Sequence, residues 1–322
     1  MDAVPVIDLT AWFTGDEQER AAVAARVDEA LSEIGFLVVT GHGVPAGLRD
    51  RIRTAAKRFF AQPEDVKRAY AATVGERGWL PPGVEANGYA EGTETPPDMK
   101  ETFAIGADAK IGDPLFDAEW FLANVWPSEV PELEELLTEY TARMRALSDE
   151  LLRLCATALG LDPGYFAAYT GNPSYTLNIN RYPPLSQLGA PEPGQFRIGP
   201  HTDFGTVTVL DRQDGVGGLQ VFTGDTEEDG WVDAPWVEDS FTINVGDLLA
   251  VWSGNRWKSN RHRVLPPDPS APDEELVSLV FCYECDPGAR IEPFAPPIGR
   301  AELAPVRAHE FLLERLDAIT VG

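Results

Sequence analysis

The chain has 322 residues, of which 43% are apolar and 24% charged, enough for one large globular domain or two small ones. Its 52 acidic side chains outnumber 26 basic ones, for a formal net charge of -26. That excess excludes nucleic acid and anionic membrane as expected partners, since both would repel it.

In chain order, Val4 to Leu9 reads as a short strand, and Glu17 to Ile34 as an amphipathic helix closed by Gly35. Phe36 to Thr40 is a compact strand, followed by the turn Gly41-His42-Gly43-Val44-Pro45. Ala46 to Phe60 is a second amphipathic helix, and Pro63 opens a short third one over Glu64 to Tyr70. Thr73 to Pro97, rich in Gly, Pro and Glu, reads as a long loop, and Gly75 to Phe103 as a lid over a site. Trp79, Tyr89, Lys100 and Phe103 are its candidate substrate contacts, with Phe204 further on. After a break at Trp126 to Pro131, Glu132 to Leu159 forms a long amphipathic helix ended by Gly160.

From Tyr175 the texture changes to short β-rich runs between turns: TLNINRY, FRIGPHTD, TVTVL, GLQVF, WVDAP, FTINVGDLLAVWS, HRVL and LVSLVFCYEC. This spacing predicts a β-sandwich or barrel, with a closing helix over Pro305 to Ile319. The expected fold is therefore mixed α and β, a jelly-roll barrel with a helical N-terminal part. The expected divisions are 1–125, 126–172, 173–295 and 296–322, with 173–295 as the barrel.

Three cysteines, Cys155, Cys282 and Cys285, fit a reducing compartment. Cys282 and Cys285 lie in an apolar run and read as strand, because no further soft ligands cluster near them. The opening MDAVPVIDLTAW lacks the basic and apolar regions of a secretory leader, and no apolar run reaches the roughly 18 residues of a membrane span. The expectation is a cytoplasmic monomer acting on a small molecule.

The chain has four histidines. His42 lies in a turn and His309 in the C-terminal helix, where packing roles are expected. His201-Thr202-Asp203 ends a strand, and residues i and i+2 of a strand share a face, so imidazole and carboxylate converge. His262 opens a second strand about 60 residues later and supplies the third ligand. Two imidazoles and one carboxylate occupy one face of an octahedron, which suits iron(II) that must also bind substrate groups and dioxygen.

At these residues the sequence resembles the isopenicillin N synthase-like family of iron(II), 2-oxoglutarate-dependent oxygenases. The likeness spans nearly the whole chain: VPVIDL, GFLVVTGHGVP and FFAQPEDVKRAY, then Pro97 to Phe103 as a DxKExF segment. It continues through Asn180-Arg181-Tyr182-Pro183-Pro184, Arg197 to Gly205, Gly217 to Val221, Ile243 to Asp247 and Ser259 to Val264. The resemblance implies a double-stranded β-helix, iron on His201, Asp203 and His262, and 2-oxoglutarate with dioxygen as co-substrates. It also implies that Asn180 and Tyr182 face the pocket with Ser278, and that a small molecule is hydroxylated or desaturated while succinate and carbon dioxide form. Asp203 argues against a halogenase, which needs that position empty.

One departure bears on the co-substrate. The family's Arg-x-Ser clamp for the far carboxylate falls on Leu276-Val277-Ser278, and no Lys or Arg lies between Arg263 and Arg290. A buried carboxylate without a cation is costly. Arg181 and Arg197 are the nearest replacements in sequence. Alternation puts Arg181 on the face opposite Asn180, and Arg197 lies about 13 Å along an extended strand from His201. Two rival readings follow: a synthase-like iron oxidase that uses dioxygen without 2-oxoglutarate, and a non-catalytic jelly-roll protein that binds metal or ligand.

Overall fold

The computed structural model describes residues 4–88, 95–216, 218–224 and 230–319. Tyr89 and Gly217, named above, lie outside them. Strand β1 (Val6–Asp8) leads through α1 (Thr10–Thr14) to α2 (Glu17–Glu33), β2 (Phe36–Thr40), α3 (Ala46–Phe60) and α4 (Glu64–Arg68). Next come β3 (Gly78–Leu80), β4 (Glu101–Gly106), α5 (Pro114–Glu119) and α6 (Glu132–Ala158). The second half holds β5 (Tyr175–Tyr182), α7 (Leu185–Leu188), β6 (Ile198–His201), β7 (Val207–Asp211), β8 (Leu219–Phe222), β9 (Trp231–Asp233) and β10 (Phe241–Val245). It ends with α8 (Asp247–Trp252), β11 (His262–Val264), β12 (Leu276–Tyr283), β13 (Arg290–Ile291), β14 (Val306–Arg307) and α9 (Ala308–Ile319).

Local chemistry accounts for the helix ends. The Asp16 carboxylate accepts the Glu19 N–H at 2.9 Å while the Glu19 carboxylate accepts the Asp16 N–H at 2.8 Å, a reciprocal box that starts α2. Gly35 ends that helix with φ at +74°, a left-handed turn in which a side chain would be strained.

Among the described residues the strands form an eight-stranded sheet, ordered β1-β2-β10-β7-β12-β5-β4-β3, and a four-stranded sheet, β6-β11-β8-β9. The two face each other across a cavity as a jelly roll. Alternation along β12 decides which side each residue serves. Val277, Leu279, Phe281 and Tyr283 join the core under the helices, together with Leu177 and Ile179 of β5. Val280 and Cys282 line the cavity with Asn178, Asn180 and Tyr182. On the outer face α6 buries Leu137, Tyr140 and Met144 completely; burial of Leu137 and Met144 contributes roughly 1.5–3 kcal/mol each.

Three segments differ from the sequence reading. Thr73 to Pro97 is not all loop: Gly78–Leu80 forms β3, paired with β4, because Trp79 finds both a strand partner and a buried hydrogen-bond acceptor. FTINVGDLLAVWS is strand then helix, because the strand ends at Val245 and the N–H groups of Asp247 and Leu248 find acceptors in the Asp203 and Phe204 carbonyls. The tail begins with the short strand β14 before α9 starts at Ala308. The N-terminal segment also supplies β1 to β4 of the large sheet, at both of its edges.

Candidate metal centre and active-site cavity

Strands β6 and β11 pair antiparallel with His201 directly across from His262, which closes the distance that the sequence leaves between them. Ligand atoms of His201, Asp203 and His262 all lie within 4.8 Å of one another. The Asp203 Oδ1 stands 3.7 Å from the Nε2 of His201 and 3.7 Å from the Nε2 of His262.

Each imidazole is oriented from behind. The Nδ1 of His201 bonds the Gly199 carbonyl at 2.8 Å, and the Nδ1 of His262 the Asn260 carbonyl at 3.2 Å. A proton on Nδ1 leaves the Nε2 lone pair for a metal. Burial above all, and then the neighbouring His201, push His262 down to about 4, so it is a neutral donor at pH 7. Asp203 is held below the ordinary carboxylate range: burial opposes its charge, but the two histidines and a hydrogen bond from Asn244 outweigh it. Two imidazole nitrogens and one carboxylate oxygen, open on one side to a cavity, fit iron(II).

That cavity encloses about 470 Å³. One end lies between the sheets, walled by Tyr182, Ile198, Leu210, Leu219 and Val264. There the Tyr182 hydroxyl and the Ser278 Oγ share a hydrogen bond of 3.1 Å. Asn180 accepts from Thr102 at 2.8 Å on the same face. The other end runs past Phe204, Ser174 and Glu284 to Trp120 and to Leu312 and Leu316 of α9.

The DxKExF segment divides its labour. Asp98 accepts the Gly199 N–H at 3.0 Å and so braces β6 two residues before His201. Lys100 lines the cavity and bonds Glu85 and Thr102. Burial works against the Lys100 charge, but Glu85 and Asp98 outweigh it and hold the ammonium above its ordinary value. Glu101 points the other way and gathers Lys67 and the Trp79 indole at 2.7 Å each and Arg181 at 2.6 Å. This corrects the expectation for Trp79, which is a buried hydrogen-bond donor to Glu101. It corrects Phe103 also, whose ring packs 4.9 Å from that of Phe59. Neither lines the cavity, whereas Lys100 and Phe204 do.

Leu276 stands across from Tyr182 in the β12–β5 register, so the position of the usual clamp is apolar. Arg181 is tied to Glu101 and Glu275 on the far face, as alternation predicts. Arg197 comes much nearer than its place in the sequence implies. Its guanidinium carbon lies 5.8 Å from the Tyr182 ring centre, and its side chain is fully buried. Nη2 donates to Glu274 at 2.8 Å, while Nε and Nη1 have no hydrogen-bond partner among the described residues.

The other histidines pack as expected. His42 stacks on Phe241 and bonds the Asp239 carbonyl, and His309 meets Glu119 and Trp120. Sequence reasoning missed Asn244, Ser174 and Glu284. The signal for Glu284 was the period of two along 278, 280, 282 and 284, which carries the cavity face to the end of the strand.

Comparisons with known proteins agree with this geometry. A family model described as non-haem dioxygenase in morphine synthesis N-terminal matches residues 4–129, and one described as 2OG-Fe(II) oxygenase superfamily matches residues 173–284. The chain is 43% identical to a validamycin A dioxygenase of Streptomyces hygroscopicus subsp. limoneus, over 97% of this chain and 86% of that one. It is 32% identical to the 2-oxoglutarate-dependent dioxygenase tropC of Talaromyces stipitatus, over 94% of this chain and 92% of that one. A Neurospora crassa protein solved in complex with alpha-KG and thymine superposes with a TM-score of 0.82 at 26% identity, covering 98% of this chain and 96% of that one. JOX2, solved with 2OG, Fe and JA, superposes with a TM-score of 0.74 at 25% identity, covering 99% and 89%. These relatives favour neither the oxidase that dispenses with 2-oxoglutarate nor the non-catalytic binding protein. The chain belongs to the 2OG-Fe(II) oxygenase superfamily and is a non-haem iron, 2-oxoglutarate-dependent dioxygenase.

Proposed function

We propose that His201, Asp203 and His262 hold the iron, and that the cavity beside them takes 2-oxoglutarate at its inner end and a small-molecule substrate at its outer end. The observation that carries this is the convergence of two oriented Nε2 atoms on one carboxylate oxygen at 3.7 Å, at the wall of the cavity. Iron(II) supplies dioxygen activation coupled to decarboxylation of the 2-oxo acid. The chain's residues bind, orient and exclude water. Tyr182 and Ser278 offer hydroxyls to the far carboxylate of 2-oxoglutarate, and Arg197 is the cation that replaces the clamp absent at Leu276. Its Nη2 is held by Glu274, and the two nitrogens left unpartnered support this, because buried N–H groups without acceptors are costly and a carboxylate supplies acceptors. Lys100, already countered by Glu85 and Asp98, borders the substrate.

The substrate reading is a small molecule oxidised at a C–H bond, by a monomer in the cytoplasm. The solved relative with thymine and the validamycin A dioxygenase support a small molecule. The free state of all three cysteines supports the compartment.

The test is to load the protein with iron(II) without oxygen and titrate in 2-oxoglutarate, following the visible charge-transfer band of the chelated 2-oxo acid. A saturable band lost in His201→Ala is expected. No band in iron-loaded protein would overturn the arrangement. Validamycin A is then the first compound to offer, with substrate-stimulated succinate as the readout.

A further inference from the structure

The outer end of the cavity has two polar groups with nothing to bind. Ser174 is 3% exposed and its Oγ has no partner among the described residues. Glu284 has its Oε2 sealed from solvent and likewise unpartnered. The two are neighbours: the Glu284 N–H donates to the Ser174 carbonyl at 3.0 Å, one step beyond the β5–β12 pairing of Tyr175 with Tyr283. Both line the cavity, as do Phe204 and Gly205. A side chain at Gly205 would collide with the Glu284 carboxylate, so the loop after Asp203 is shaped around that group.

Among the described residues no cation answers Glu284. Burial dominates its surroundings and pushes it up to about 8, with Asp203 adding repulsion and only a backbone N–H from Thr206 in its favour. Charge counting extends the point, and here the inference rests on the function proposed above. Iron(II) and the dianion 2-oxoglutarate cancel, and the imidazoles are neutral. Asp203 then remains as an uncompensated negative charge, and ionising Glu284 would add a second at the same end of the cavity. A buried carboxylate with an unpartnered oxygen stays costly until a donor, best a charged one, arrives. The walls nearby, Thr176 and Asn178, offer hydroxyl and amide groups, which suit a hydroxylated body.

We propose that Glu284, with Ser174 beside it, is a substrate-binding subsite that takes a protonated amine, and that the substrate is a small hydroxylated amine. Glu284 accepts the ammonium hydrogen bond, and Ser174 accepts a second N–H or meets an adjoining hydroxyl. Anchoring at this point sets which C–H faces the iron.

The experiment uses full-length protein loaded with iron(II) and 2-oxoglutarate without oxygen. Two matched pairs serve as probes: 2-amino-2-deoxyglucose with glucose, and cyclohexylamine with cyclohexanol. Affinities come from ligand-observed NMR titration. Each amine is expected to bind about tenfold or more tighter than its alcohol, the scale of a hydrogen bond to a charged group. Glu284→Gln is expected to abolish that preference while the 2-oxoglutarate band is retained, and Ser174→Ala to reduce it. Equal binding within the pairs, a preference that survives Glu284→Gln, or no binding of either amine by the wild type would overturn the proposal. Should Glu284→Gln lose the band, Glu284→Asp is read instead, and it must weaken amine binding more than alcohol binding. The band itself is independent of the probes, so its absence from the wild type would count against the iron and 2-oxoglutarate assignment.

Discussion

The Asn244 side-chain amide donates to Asp203 Oδ2 at 2.6 Å, and this bond leaves Asp203 Oδ1 facing His201 and His262. Asn244 reaches it from β10 of the large sheet, across the cavity from the strands that carry the histidines. The backbone adds a second hold, since the Asp247 N–H at the start of α8 donates to the Asp203 carbonyl at 2.8 Å. Asn244→Ala should therefore loosen the carboxylate without removing a ligand. Iron affinity should fall about 10- to 100-fold, the usual loss when a ligand's orienting partner is removed. Anaerobic competition against a chelator measures it, and unchanged affinity would show that α8 suffices.

Arg197 and Leu276 make a second test. Arg197→Gln should raise the 2-oxoglutarate dissociation constant about tenfold or more, read from the charge-transfer titration. Adding Leu276→Arg to that variant should recover much of the loss, because position 276 lies across from Tyr182 and two residues from Ser278. If Arg197→Gln binds 2-oxoglutarate normally, the cation is elsewhere, and Lys100→Met becomes the variant to make.

Asp211, 1% exposed, joins the barrel to α3. Its Oδ1 meets Arg49 at 3.1 Å and Arg53 at 2.6 Å. Asp211→Ala removes the buried carboxylate that both guanidinium groups share, leaving Arg49 to the exposed Asp239 and Arg53 to the exposed Asp50 and the Val277 carbonyl, and should cost about 3 kcal/mol. Urea denaturation measures it. A loss under about 1 kcal/mol would mean that the existing pairs with Asp239 and Asp50 suffice.

Glu284 predicts a pH dependence in metal-free protein. Folding raises this carboxyl from its ordinary value of 4.5 to about 8. Between those values the folded state keeps a proton that the unfolded state has lost. Stability from this group is full below the lower value and declines as pH rises toward the upper one. Metal-free Glu284→Gln should lack that decline, and thermal melts between about pH 5 and pH 8 compare the two proteins. Matching slopes would place the carboxylate in contact with solvent.

Trp79 offers a control for the lid. Trp79→Phe removes the donor to Glu101 and should cost about 1–3 kcal/mol, while iron and 2-oxoglutarate binding stay unchanged. A change in cofactor binding would return Trp79 to the site.

Much of the site is legible in the chain itself. His201 and Asp203 share a face because strands alternate, and the same rule puts Asn180 and Tyr182 on the cavity wall, Ser278 behind the Tyr182 hydroxyl and Arg181 on the far face. The long helices are legible for a similar reason: a 3.6-residue period and a capping residue are local properties. Tertiary structure alone decided what depends on which strand lies beside which. It set His262 opposite His201, brought Asn244 across the barrel to Asp203, and carried Arg197 to Tyr182 despite a separation along the strand that argued against it. Trp79 was misplaced because its acceptor, Glu101, reaches it only through the pairing of β3 with β4. Glu284 reads as one more acid among 52 until burial removes its solvent and packing leaves it without a cation among the described residues. Sequence periodicity determines which face a residue takes; only the assembled sheets determine what stands opposite that face, because hydrogen-bond partners and desolvation are properties of packing.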